Sequence, residues 1–149
     1  MNQDQYLKSV EKGIQWIESQ MLTFNNGAKG IYERIRIDEN IRTNWVRPDC
    51  NAEFARVLAL YQQQTGSDEY QRLYDNIINW LIDAQENDEL SAWYGTYPFY
   101  LVDGNSGDDK NWDRIYQNDN GKILIALLEI YQINGDKRLL SCAKKLADY

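Results

Sequence analysis

At 149 residues, 43% of them hydrophobic and including 5 Trp, 11 Tyr and 3 Phe, the chain is long enough for one ordinary domain and apolar enough to fold. Its formal net charge of -7 repels a phosphate backbone, and the absence of histidine removes the usual base of serine and cysteine triads and the commonest metal ligand. Nucleic acid is therefore not expected as a partner, no metal or cofactor motif is present, and any chemistry falls to carboxylates.

The opening residues Met1 to Gln5 are polar and run straight into a helical pattern, without the basic and apolar segments of an export signal. Tyr6, Val10, Ile14, Ile17 and Met21 recur at three- and four-residue steps with Lys8, Glu11, Lys12 and Glu18 between them, which predicts a helix with one wet face. Residues 23 to 48 form a long connection containing an alternating stretch, Ile31 to Ile37, that reads as a short strand. A second helix runs from Asp49 through Leu60 and Tyr61, and the turn Thr65-Gly66-Ser67-Asp68 ends it at glycine and starts the next helix at Ser or Asp. Tyr70 to Trp80 then repeats the first pattern, with Trp16 and Trp80 expected in the core. Residues 87 to 117 form another long connection, with a second alternating stretch from Tyr97 to Val102. Residues 121 to 133 are apolar nearly all the way round, so that helix should be covered on several sides. Asn134-Gly135-Asp136 is a second tight turn, and Leu139 to Tyr149 begins a last amphipathic helix.

No run reaches the roughly 18 unbroken apolar residues that cross a bilayer, since even Ile123 to Ile133 is interrupted by Glu129 and Gln132. A cytoplasmic protein with no membrane partner is expected. Cys50 and Cys142 lack the number and spacing of a disulfide framework or zinc site and read as free thiols.

The pattern is internally repeated. Tyr6 through Trp16 aligns with Tyr70 through Trp80 and with Leu139 through Tyr149; Gly30-Ile31-Tyr32 aligns with Gly95-Thr96-Tyr97, and Trp45 with Trp112. Asp49-Cys50-Asn51 leading to Gly66 aligns with Asp119-Asn120-Gly121 leading to Gly135, giving a unit of about 65 residues. Each unit holds an outer amphipathic helix, a long loop, an apolar inner helix and a short turn. The long loops exceed the usual median of about 4 to 6 residues, a length that most often carries function, and both empty into an inner-helix start on one face.

This unit resembles that of the six-hairpin (α/α)6 toroids of glycoside hydrolases, unsaturated glucuronyl hydrolases and sugar epimerases. The resemblance implies an all-α fold of repeating helical hairpins with short strands in the long loops. Six units need roughly 390 residues, so residues 1 to 149 are expected to be a single incomplete toroid domain of about two and a half hairpins. Its exposed edges suggest self-association.

In such toroids the active cleft lies at the N-terminal ends of the inner helices, and in unsaturated glucuronyl hydrolases the resemblance implies an Asp pair there. Asp49 and Asp119 align at those starts, with Glu53 as a reserve, and two carboxylates at one mouth suit the acid and base of glycoside cleavage. An Asp at a helix start is also a common N-cap. Trp45, Tyr97 and Trp112 offer flat faces to sugar rings, while Arg47, Asn51, Asp113 and Arg114 offer polar partners. The same aromatics, with Trp93, Tyr94 and Tyr116, also suit a roof over the core. Asp103 to Asp109 looks like a calcium loop but lacks its spacing and closing Glu, and reads as a turn.

The leading expectation is a carbohydrate-active, hydrolytic toroid acting on an oligosaccharide or glycoside. The alternative is a helical-repeat scaffold that binds a peptide or protein. The 65-residue period with one-sided loops favours the first, since scaffold repeats of tetratricopeptide type take about 34 residues.

Overall fold

The computed structural model describes residues 2–22, 30–102 and 114–149. The described elements, in chain order, are α1 (Gln3–Met21), β1 (Ile35–Arg36), β2 (Ile41–Arg42), β3 (Trp45–Val46), α2 (Pro48–Thr65), α3 (Gln71–Ala84), β4 (Leu101–Val102), α4 (Gln117–Asn134) and α5 (Lys137–Asp148). The all-α hairpin architecture, with short strands confined to the loops, is as the sequence implies. Each predicted strand stretch is a strand over only two residues, β1 and β4, and these do not pair with each other. β1 pairs with β2 as a small hairpin, while β4 pairs antiparallel with β3, Trp45 opposite Val102 and Val46 opposite Leu101.

The inner helices α2 and α4 make the most extensive contact between elements; α1 and α3 pack on α2, and α5 packs on α4. Ala52, Ala55, Ala59 and Ala126 are fully buried, and such small side chains let helix backbones approach closely. Leu58, Ile77, Ile78, Leu81, Ile123, Leu127, Ile130 and Leu139 fill the space around them as part of one continuous core.

Helix ends follow local chemistry. Asn2 and Gln5 form a capping box at the start of α1. Pro48 occupies the first position of α2, where its missing N–H costs nothing. Gly66 and Gly135 end the inner helices at φ 68° and 73°, and each donates its N–H to a carbonyl of the last turn, Gln62 and Tyr131 respectively, at 2.8 Å. Asp136 caps α5 through the Arg138 N–H, as predicted, whereas α3 begins at Gln71 without a side-chain cap, so Ser67 and Asp68 do not start it. α1 carries no basic residue in its last turn; Arg42, from β2, donates to the Gln20 carbonyl there and supplies the missing cation.

Two sequence expectations change. Trp16 is 54% exposed rather than part of the core, while Trp80 packs against it. The inner helices are not covered all round: Val57 and Leu60 on α2 lie in an apolar groove beside Tyr6, and Ile125 (53% exposed) and Leu128 on α4 face outward.

The loops are tied to the inner helices by a repeated device. The Asn51 side chain accepts from the Ile31 N–H at 2.8 Å and donates to the Ile31 and Arg47 carbonyls. Asn120 likewise accepts from the Tyr97 N–H at 2.9 Å and donates to the Tyr97 and Tyr116 carbonyls. These anchors define the structural repeat, in which Ile31 matches Tyr97 and Asn51 matches Asn120. The sequence alignment is therefore one residue out of register: Asp49 corresponds to Asn118, and Asp119 to Cys50. Further along, Gly95 (φ 85°) lies so close to α5 that an added Cβ would fall 2.3 Å from the Lys145 carbonyl oxygen. Replacing Asn120 with Ala strips the buried Tyr97 N–H of its acceptor and should destabilise the chain by about 2 kcal/mol in urea unfolding, with Asn51→Ala costing a similar amount.

Candidate functional site

The N-terminal ends of α2 and α4 meet where the paired strands β3 and β4 bring both long loops together. Neither helix start is closed by a capping side chain: the N-cap positions are Arg47 and Tyr116, and neither makes a side-chain cap bond. Asp49 lies one position inside α2 after Pro48, and Asp119 lies in the first turn of α4. Positive partial charge at a helix start favours carboxylates in both places.

Arg47 joins them. A single guanidinium nitrogen, Nη2, donates to Asp49 Oδ2 at 3.0 Å and to Asp119 Oδ2 at 2.6 Å, while Nη1 donates to Glu33 Oε1 at 3.3 Å. The guanidinium also lies 4.7 Å from the centre of the Phe99 ring. Lys122 Nζ stands 4.0 Å from an oxygen of each aspartate. Side-chain exposure is 18% for Arg47, 8% for Asp49 and 17% for Asp119, so the cluster is largely out of water and its attractions are weakly screened. Burial alone would lower the Arg47 pKa, but the charges of Asp49 and Asp119 and the hydrogen bond to Glu33 outweigh it and raise it. Asp49 Oδ1 is buried without a hydrogen-bond partner among the described residues. Cys50, adjacent in sequence and half-buried, is a free thiol pushed up to about 11, first by burial and then by the Asp49 charge. It is held as the thiol at neutral pH and is a poor nucleophile.

The structure thus brings Asp49, Asp119 and Arg47 together. Glu53 lies a turn further along α2, where it pairs with Arg56 at 2.7 Å, and Arg56 in turn pairs with Glu129 of α4. Trp45 is half-buried and stacks on Tyr100 with ring centres 4.8 Å apart. Arg114 is exposed and donates to the Tyr116 hydroxyl at 3.5 Å. Two expected sugar contacts are turned inward. Asn51 is fully buried with its amide spent on loop backbone, and Tyr97 is fully buried, with its pKa pushed well above the ordinary value by that burial. Trp112, Asp113 and the Asp103 to Asp109 stretch lie outside the described residues.

Glu33, Phe99, Tyr100 and Lys122 belong to the mouth but do not stand out in the sequence. Glu33 sits in a strand-like run whose alternation predicts conformation rather than partners. Lys122 alone carries a usable signal, since it lies three residues after Asp119 and therefore on the same helix face.

Over 98% of its length the chain superposes, with a TM-score of 0.73 and 15% sequence identity, on the crystal structure of a family 76 glycoside hydrolase from a bovine Bacteroides thetaiotaomicron strain. It spans 30% of that chain, and at this identity the likeness concerns the fold. No curated protein matches the sequence significantly. Residues 44–149 match the family model of the β-L-arabinofuranosidase, GH127 catalytic domain, a span that includes both inner helices and β3.

Removing Arg47 leaves Asp49 and Asp119 close together with Lys122 4.0 Å from each, and leaves Glu33 to Arg34. Arg47→Ala should therefore cost about 3 kcal/mol in urea unfolding, and adding Asp119→Asn should recover part of that loss. An additive double variant would show that the three groups are not coupled.

Proposed function

The chain belongs to the family of the β-L-arabinofuranosidase, GH127 catalytic domain, and we propose from that membership that it is a carbohydrate-active protein of glycoside hydrolase type. The observation that supports a site at the helix starts is the meeting of Asp49 and Asp119, from two different inner helices, on one nitrogen of Arg47. Their separation is no more than those two contacts together.

On this reading the carboxylates receive a sugar rather than cap a helix. Both already accept hydrogen bonds from Arg47, so they present acceptor oxygens and negative charge to the ligand. Negative charge at this position also stabilises the positive charge that develops at a sugar ring as its glycosidic bond breaks. Arg47 occupies the space between the two carboxylates and must yield part of its hold to the ligand. Glu53, engaged with Arg56, stays in reserve. Trp45, exposed Arg114 and, beyond the described residues, Trp112 and Asp113 complete the proposed sugar contacts.

L-Arabinofuranosides are the first substrates to assay. Asp49→Asn and Asp119→Asn should each reduce turnover by at least about a hundredfold while circular dichroism shows the helices intact. Full activity in both variants would remove the pair from the mechanism, and no turnover or binding of any glycoside would favour the peptide-binding scaffold.

A second proposal concerns assembly. The outward-facing Ile125 and Leu128 on α4, and Val57 and Leu60 on α2, support self-association of the 149-residue chain. Sedimentation should show oligomers that Ile125→Lys with Leu128→Lys converts to monomers; a monomeric parent chain would rule this out.

A further inference from the structure

Beside the mouth, the β1–β2 hairpin and the start of β3 enclose a shallow groove lined by Arg34, Arg36, Ile41, Arg42, Thr43 and Trp45, with Asn44 at its edge. In a chain of net charge -7 this lining contains no acid, and two of its arginines, Arg34 and Arg36, share the groove's strand face. Strand pairing explains the arrangement. Arg36 lies opposite Ile41, and the Thr43 N–H donates to the Arg34 carbonyl at 3.1 Å. Alternation then places Arg34, Arg36, Ile41, Thr43 and Trp45 along one face. Arg42 falls on the opposite side of β2, where it serves the end of α1.

We propose that this groove binds an acidic unit of a glycan, a uronate carboxylate, next to the sugar held at the mouth. The proposal rests on the carbohydrate reading above, though not on catalysis by Asp49 or Asp119. Arg34 is held in place for the task. Its guanidinium lies 5.4 Å from the Trp45 ring centre, and Glu33 accepts from its Nε and Nη2 at 3.3 and 3.1 Å. A guanidinium has five N–H donors in a planar fork, so this arrangement orients Arg34 and leaves donors for a ligand carboxylate. Arg36 pairs with Glu39, and the Arg34 and Arg36 side chains are each 54% exposed. Glu33 and Glu39 offset part of the positive charge, so binding should be modest and salt-sensitive. Glu33 is also the shared wall: one of its oxygens holds Arg34 and the other holds Arg47. Two adjacent sugars of one chain can therefore occupy the mouth and the groove together.

The test is calorimetric titration of the 149-residue chain with α-1,4-linked trigalacturonate and with the neutral galactotriose of the same linkage. At low salt trigalacturonate should bind about tenfold more tightly, and Arg34→Gln with Arg36→Gln, both surface changes, should erase that preference. Raising the salt to about 0.3 M should erase it too. Equal affinity for the two trisaccharides, no binding of trigalacturonate, or an unchanged preference in the double variant each overturns the groove. Asp119→Asn separates the two sites. If it weakens galactotriose binding while no acidic preference exists, the mouth stands and the groove falls. If an Arg34- and Arg36-dependent preference survives Asp119→Asn with both affinities unchanged, the groove stands and the sugar-binding role of the mouth falls.

Discussion

Two buried asparagine side chains carry most of the burden of shaping this molecule's working face. Each inner helix emerges from a long loop, and a loop laid over a helix end has backbone groups to satisfy without water. Asn51 and Asn120 answer that demand identically, each taking one N–H and two carbonyls of the loop that precedes its helix. Because the bonds are made by a side chain in the first turn, the loop is set against the helix start rather than left to wander over it. The β3–β4 pairing then draws the two loops together, and the packing of α2 on α4 sets carboxylates from separate repeats within reach of one arginine.

The charge arrangement at the mouth follows from this framework. Three acids, Glu33, Asp49 and Asp119, gather around Arg47 with Lys122 close by. Such a group is too costly to assemble in a dry site unless the positive charge is centrally placed, and Arg47 supplies it from the N-cap position, where a small polar residue is usual. The absence of a conventional cap on either inner helix is therefore part of the same arrangement: the helix starts are held by loop backbone and ion pairs, and their first-turn carboxylates turn to Arg47. The chain belongs to the family of the β-L-arabinofuranosidase, GH127 catalytic domain, and shares the fold of a family 76 glycoside hydrolase.

Much of this was legible in the sequence. Helical periodicity separated outer from inner helices, and Gly66 and Gly135 marked both inner-helix ends, because those signals are local. The register of the repeat was not legible to the residue. Matching Asp49 with Asp119 and Tyr32 with Tyr97 follows side-chain identity, whereas the true correspondence is set by which backbone the repeated asparagine holds. Arg47 was read as a sugar contact, but its bond to Asp119, 72 residues further on, depends on a meeting of two helices. Asn51 looked available for the same reason: a polar residue near a helix start gives no sign that distant backbone consumes it. Trp16 fell to the opposite error, since its place in an amphipathic helix did not reveal that its side faces water.

The asparagine anchors have one more consequence, for how such a surface can change. The Asn120 amide nitrogen holds the carbonyls of both Tyr97 and Tyr116, and Asn51 does the same for Ile31 and Arg47, so each excursion of chain leaves and returns at a single amide group. Apart from β3, β4 and Glu33, what lies between can be lengthened or rewritten without moving either end. Doubling such a segment costs only about 0.6 kcal/mol of closure entropy, less than losing one of the anchoring bonds. New binding preferences can therefore be grafted onto this face one loop at a time, with the helices beneath indifferent to the exchange.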